Sequence, residues 1–463
     1  MTIDRRALLH GPIPGTLLGL AWPVLAVLAL QTSVGVAETW FVSFLGTGAV
    51  AGVTLVFPVF MLMTMMSNGG IGGGVSSAVA RAVGAGHMED ARALVTHAVV
   101  VGAAFGAVFS IAVWTGGRAL FELMGGRGEA LDSATLYAGV VFAAAVPGWI
   151  ANLLASALRG AGDVRTPALV TAAGAVATLA LSPLFIFGWG FVPGLGVAGA
   201  GVALIVFNVG SAVALALHVR SRRSPLPLRR ARLEWRLFRE ILRVGLPSAI
   251  GTVVTNLTVV LTTGLVGGFG SDAIAGFGLA SRLDYILIPP LFALGTATIT
   301  LVGTNVGSGQ HARALRIAWV SAAISAASVE AIGIAAALFP HAWMELFSGE
   351  PAVVAAGVAY LARVAPAYAF FGAGMALYFA SQGAGRMAWP FSAGLARLAL
   401  VWLAGSWWIG AVHGSASGLF WIVAAGYVLF GAINIVAMTT GVSWGGSDRP
   451  VRFNASAAAR GRS

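Results

Sequence analysis

Apolar stretches long enough to cross a bilayer recur along the whole chain, separated by short segments rich in Arg, Gly, Asp and Pro. The pattern predicts twelve helical spans, at about 15–45, 50–80, 93–117, 135–158, 168–190, 197–219, 244–268, 277–306, 317–340, 352–381, 389–411 and 416–440. The runs lack two-residue alternation, which excludes a transmembrane β-barrel. The longest polar interruption, 221–240 (SRRSPLPLRRARLEWRLFRE), falls midway and reads as a cytoplasmic linker. Its short amphipathic piece near Leu233–Phe238 is expected to lie along the membrane surface.

The two halves carry the same landmarks. Pro23 and Pro247 are 224 residues apart, as are GTGAVAG at Gly46 and GSDAIAG at Gly270. VGAGHMEDARAL at Val83 returns as VGSGQHARAL at Val306, and RGAGDVRTP returns as QGAGRMAWP, aligning Gly160 with Gly383 at offset 223. Four anchors at nearly one period imply two homologous halves. Six spans per half is an even number, so both halves run the same way through the membrane. They are then related by a pseudo-twofold axis along the membrane normal, with a substrate path between them. The expected fold is all-α integral membrane: twelve transmembrane helices as two six-helix pseudo-symmetric lobes. Its boundaries are an N-lobe over 1–220, the linker over 221–240, a C-lobe over 241–441 and a cytoplasmic tail over 442–463.

Composition sharpens this picture. Of 463 residues 58% are hydrophobic and 9% charged, too few charges to cover a soluble protein of this size. With no cysteine, disulfides, thiolate metal sites and cysteine nucleophiles are excluded. All 27 basic residues are arginine, giving a net charge of +11. Twenty-two of them fall on the side that holds the N-terminus, two (Arg118 and Arg127) on the other, and three within spans. By the positive-inside rule both termini are cytoplasmic. The basic charge therefore sets topology and argues against nucleic-acid binding.

The ordered set of LAWPVLAVLALQTSVGVAETWFVSFLGTGAVAG, LRGAGDVRTP, SPLFIFGWGFVPGLGVAGAG and LVGTNVGSGQHARA, with twelve spans in two halves, resembles the multidrug and toxic compound extrusion (MATE) family of secondary transporters. The resemblance covers Leu17 to Gly441 and is closest to the prokaryotic DinF-type branch. It implies two lobes opening outward as a V. It also implies export of amphipathic, often cationic organic compounds by alternating access, driven by Na⁺ or H⁺. A bacterial inner-membrane location, action as a monomer and no cofactor are expected with it.

An ion-driven antiporter needs an intramembrane group whose charge can change, and such groups are costly, roughly 2.5–3.5 kcal/mol at a helix centre. Three acids fall within spans: Glu38, Asp284 and Glu330. Glu38 stands alone in the N-half, with Gln31 seven residues earlier on the same face. The family carries an Asp at the motif position of Glu38, so the resemblance assigns ion coupling here. The family's Asn-x-x-x-Asp-Pro in the fifth span is Thr178, Ser182 and Pro183 in this chain, and a Thr of the sixth span is Leu204. Fewer oxygen ligands favour H⁺ over Na⁺. Tyr137 and Asn152 are candidates to complete the N-lobe cavity, and Pro23 is a candidate hinge beside Glu38.

In the C-half, another branch of the family has acids in the seventh and tenth spans, where this chain reads Thr255-Asn256 and Gly372-Ala373. Its charges are Arg282, Asp284, Glu330, Arg363 and Arg397, among which Asp284 or Glu330 is expected to pair with Arg363. Asn256, Arg282 and Asp284 are candidates to line a C-lobe cavity. A GxGxxG at Gly194 joins two spans and follows no strand, so it marks no dinucleotide site. The chain has no Walker motif and no His cluster with metal-ligand spacing. Two rival readings are a lipid-linked saccharide flippase of the wider superfamily and a membrane-embedded lipid enzyme. The second would need a nucleophile, base or metal set that the sequence lacks.

Overall fold

The computed structural model describes residues 5–190, 192–227, 232–442 and 444; the expected tail beyond Trp444 lies outside them. A short helix, Arg5–His10, precedes the first span. Eleven helices among the described residues are long and apolar enough to cross a membrane, and a twelfth span is a pair bent by 48°. In order, spans 1 to 6 are Ile13–Ser43, Thr47–Gly84, Met88–Leu123, the bent pair Gly128–Ala143 and Ala145–Gly160, Arg165–Phe187 and Val197–Arg220. Spans 7 to 12 are Trp235–Gly267, Ser271–Gly307, His311–Leu338, Pro351–Ala384, Ala388–Gly410 and Ala416–Thr439. Helices serve here because each backbone amide finds its partner inside the segment, which hydrocarbon cannot supply. Large apolar side chains such as Trp22, Val108, Trp114 and Trp402 remain exposed on the outer surface, as lipid requires.

Several spans are interrupted at identifiable residues. Span 2 winds as a π-helix over Met66–Ile71 (MSNGGI), and Gly70 there packs so close to Ala249 of span 7 that a Cβ would come within 2.8 Å of its Cα. Span 10 breaks at Ala365–Ala367, around Pro366, before resuming at Tyr368. Span 1 runs unbroken through Pro23.

Among the described residues the polar contacts between the two lobes gather toward one side. Odd spans begin on the side of the N-terminus and even spans end there, and almost every polar contact between lobes is made by those ends. The Ser77 hydroxyl of span 2 donates to the Gln382 carbonyl of span 10, and to that of Gly383 at 3.1 Å. The Thr300 hydroxyl of span 8 donates to the Arg159 carbonyl of span 4 at 3.0 Å. These are one contact made twice, since 77 and 300, and 159 and 382, are each 223 apart. Gly84 lies on the Thr304 carbonyl and Gly307 on that of Arg81, again a symmetric pair. Leu8, Ile13, Leu17, Leu20 and Val24, at the start of the chain and of span 1, bury themselves with spans 8, 9 and 10. The Asn305 amide donates to the Leu8 carbonyl at 3.1 Å.

The segment expected to lie on the membrane surface does otherwise. Span 7 begins at Trp235, inside it. The Glu234 amide donates to His97 Nε2 at 2.9 Å, and Arg236 pairs with Asp90 at 2.7 Å, clamping the start of span 7 to span 3. Leu237 is buried in the N-lobe core, so the amphipathic pattern marks a helix start docked on protein rather than on lipid.

Substituting Gly84 by Val should lower the melting temperature of the detergent-purified protein, because its side chain would meet the Thr304 carbonyl; overpacking of this kind costs about 1–3 kcal/mol. Gly116→Ala, where a Cβ meets nothing within 4 Å, should leave it unchanged. Equal melting temperatures for the two variants would disprove the tight seam.

Candidate functional site: one unpartnered carboxylate in the N-lobe

The three intramembrane acids have different surroundings. Asp284, near the start of the long helix of span 8, is enclosed by tyrosines from two other spans. Tyr360 and Tyr427 donate to its Oδ2 at 2.5 and 3.3 Å, and Tyr368 donates to Oδ1. Arg397 of span 11 lies within electrostatic reach, its guanidinium 4.4 Å from the centre of the Tyr427 ring and 5.5 Å from that of Phe371. Tyr360 and Tyr368 flank the break in span 10, so Asp284 ties its two pieces together. Glu330 of span 9 accepts the Ala369 amide at 2.6 Å. That amide belongs to the first turn of the resumed helix, which has no intrahelical acceptor.

The expected pairing of Asp284 or Glu330 with Arg363 is therefore not formed. Arg363 donates to the Ala359 carbonyl one turn back at 2.9 Å, and Arg397 takes the place beside Asp284. The physical reason is the turn at Ala365–Ala367 in span 10, which sets the hydroxyls of Tyr360 and Tyr368 and the Ala369 amide against the two acids. Arg282 stands 5.9 Å from the Phe347 ring centre. Asn256 is exposed and donates to the Thr252 carbonyl of its own helix at 2.9 Å; Met65 of span 2 lies 3.9 Å away. These C-half candidates are not gathered into one cavity with Asp284.

Glu38 is different. It sits in the last third of span 1, half-buried, and its Oε1 is shielded from solvent with no hydrogen-bond partner. No cationic group among the described residues lies within ion-pair distance of it. Tyr137 of span 4, buried in the N-lobe, lies within electrostatic reach. Gln31 is on the same side of span 1 but exposed. Asn152 is held elsewhere: its amide donates to the Ser67 hydroxyl at 2.8 Å, fastening span 4 to the π-helical turn of span 2. Thr178 is buried and returns its hydroxyl to the Gly174 carbonyl at 2.9 Å. Ser182 is fully buried, its hydroxyl without a partner. The N-lobe candidates thus divide into Glu38 with Tyr137, and three polar groups that no recorded contact joins to them.

One functional-looking group escaped the sequence. Arg81, at the end of span 2, is fully buried and spans both lobes. It donates to Glu240 of span 7 at 3.0 Å, to the Gly383 carbonyl at 3.3 Å and to the Ser77 hydroxyl. Lying in the last turn of its helix, it reads as a cytoplasmic topology charge. Only the approach of spans 7 and 10 reveals it as a lobe fastener.

The family model MatE matches the chain twice, over residues 23–184 and 247–408, the same 224-residue period that the sequence repeats show. The chain belongs to the MatE family. It is a multi-pass membrane transporter, not an enzyme. Among related proteins, the "FAD transporter" of Shewanella oneidensis is 27% identical over 360 residues, 76% of this chain and 78% of the relative. The "Probable multidrug resistance protein NorM" of Thermotoga maritima is 29% identical over 346 residues, 73% of each. A structure described as "Outward-facing conformation of a multidrug resistance MATE family transporter of the MOP superfamily" overlays with TM-score 0.86 at 24% identity, covering 96% of this chain and 99% of that one. The two-lobe, twelve-span architecture of this MatE transporter is thus shared in full.

Replacing Asp284 with Ala strands Arg397 and three tyrosine hydroxyls in the C-lobe of this MatE protein, and breaking a buried charged network by removing one partner costs about 3–5 kcal/mol. A large fall in melting temperature is expected, and Asp284→Asn, which keeps acceptor capacity, should recover part of it. Unchanged stability of Asp284→Ala would refute the structural role.

Proposed function

We propose that this MatE transporter exports amphipathic organic compounds from the cytoplasm across the bacterial inner membrane, by alternating access and in exchange for H⁺. The observation that carries the reading is Glu38. It is the one intramembrane acid among the described residues with an oxygen shielded from solvent and no hydrogen-bond donor, whereas Asp284 and Glu330 are committed to holding span 10. An uncommitted carboxyl can exchange a proton without dismantling the fold, and its two charge states interact differently with a cationic substrate. Na⁺ prefers several oxygen ligands, and among the described residues no second carboxylate acts on Glu38. With both termini cytoplasmic, the joined ends of the lobes lie inside and the cleft faces out. The relatives described as multidrug resistance or export proteins support export of organic compounds, and a cationic amphiphile is the natural first probe.

In proteoliposomes of the purified protein, an imposed pH gradient should drive accumulation of tetraphenylphosphonium, and a Na⁺ gradient alone should not. Glu38→Gln should cut the pH-driven flux at least tenfold. Undiminished transport by Glu38→Gln would remove Glu38 from the mechanism, and transport driven by Na⁺ alone would overturn the choice of ion. Pro23→Ala restores the helical hydrogen bond that Pro23 forfeits on the same span. It should shift the pH dependence of transport, and an unaltered rate and profile would end the hinge role.

A further inference from the structure

The pseudo-twofold repeat gives an internal control for each lobe-joining residue, and one pair fails to match. Arg159 and Gln382 occupy equivalent places, 223 residues apart, at the ends of spans 4 and 10. Their carbonyls do the same work, receiving the hydroxyls of Thr300 and Ser77. Their side chains do not. The Gln382 amide nitrogen has two hydrogens and two acceptors, the Gly69 carbonyl and the Ser248 hydroxyl, each at 2.9 Å. By the same registers Ser248 becomes Val24, whose side chain cannot accept a hydrogen bond, and Gly69 becomes Phe292, whose ring lines the space beside Arg159.

Arg159 therefore carries a permanent charge and five donors into a place where the fold supplies little for them. Its one recorded bond goes to the Ser156 hydroxyl at 2.8 Å. No carboxylate among the described residues is within ion-pair distance. The fully buried arginine of this seam, Arg81, has Glu240. Arg159 instead lines a small cavity between the lobes, with Asn68, Ser76 and Ser156 on the N-lobe side and Phe292 and Thr296 on the C-lobe side. The Ser76 hydroxyl, in a residue 4% exposed, has no partner either. A guanidinium with no carboxylate beside it, an idle hydroxyl and an amide thus line one cavity, with more donors than the single Arg159–Ser156 bond uses.

We propose that this cavity is an anion subsite, in which Arg159, with Ser76 and Asn68, receives the phosphate or carboxylate group of a transported amphiphile. The proposal rests on the transport reading above and extends it from cationic to anionic substrates. As closed here the cavity holds about one water molecule. Four of the eleven residues of its wall belong to the C-lobe, so the subsite opens when the lobes part on this side, where substrate enters from the cytoplasm. Glu38, toward the opposite end of the N-lobe, then carries the proton while Arg159 carries the anion. A guanidinium suits a phosphate monoester in particular, which it can grip through two parallel bonds.

The test compares riboflavin 5′-phosphate, riboflavin and tetraphenylphosphonium as substrates of the full-length protein in liposomes of neutral lipid. The variant is Arg159→Gln, which installs the side chain that the other half of the fold already tolerates at this place. Wild type should move riboflavin 5′-phosphate faster than riboflavin. Arg159→Gln should reduce the phosphorylated flavin at least tenfold while leaving tetraphenylphosphonium within twofold, and Arg159→Lys should retain part of the loss. A parallel series adds phosphatidylglycerol and reads thermal stability. Stabilisation by that lipid, lost in Arg159→Gln and unaccompanied by any flavin phosphate transport, assigns the anion to a headgroup rather than to a substrate. Equal loss for all probes makes Arg159 a purely structural helix end and overturns the subsite, as does unchanged flavin phosphate transport with no lipid effect. Failure of wild type to transport any of the three probes counts instead against the transport reading.

Discussion

Two copies of one contact hold the molecule together: a hydroxyl on an even span of one lobe donating to the last-turn carbonyl of an even span in the other. Ser77 reaches the carbonyl of Gln382, and Thr300 reaches that of Arg159. Backbone can be approached this closely only because glycines line the crossing, Gly84 and Gly307 against carbonyls, and Gly73 against the Gln382 side chain. In hydrocarbon such packing has no hydrophobic drive of its own, and small residues with a few hydrogen bonds supply the association. Everything else follows from where this seam lies. It joins the lobes toward one end of the spans, and the alternating access proposed above would require these contacts to be exchanged for others.

Charge is distributed around the seam with a clear division of labour. Groups that hold structure are engaged by the fold: Asp284 by three tyrosines, Glu330 by a backbone amide, Arg81 by Glu240 and two further acceptors. Glu38 and Arg159 are left with donor or acceptor capacity that no neighbour uses. In the reading proposed above, Glu38 and Arg159 are the groups that exchange with something mobile, in a chain that is only 9% charged. They lie toward opposite ends of the N-lobe.

Asymmetry between the halves is as informative as their likeness. A turn around Pro366 interrupts span 10, and the two acids of the C-half accept hydrogen bonds from residues on either side of it. Its pseudo-twofold counterpart, span 4, bends near Ala144 and Pro147 without any acid, held by the Asn152–Ser67 bond instead. Duplication gave both lobes the same backbone path, and divergence chose which polar groups are spent on it.

Hydropathy and repeat period determined twelve spans, their order, the parallel arrangement of the halves and the family resemblance, because these depend on segment length and local composition alone. Glu38 was also legible, since an acid alone in an apolar helix is conspicuous without any neighbour. What the sequence could not decide was which charges find partners. Asp284 and Arg363 looked equally available, and Tyr360, Tyr368 and Tyr427 carried no local sign of converging on one carboxylate. Arg81 and Arg159 looked alike as basic residues at span ends, and only the packing of spans 7, 8 and 10 gives Glu240 to one and Phe292 to the other. Partnering depends on which helix faces lie together across several hundred residues, and that is a property of the tertiary structure.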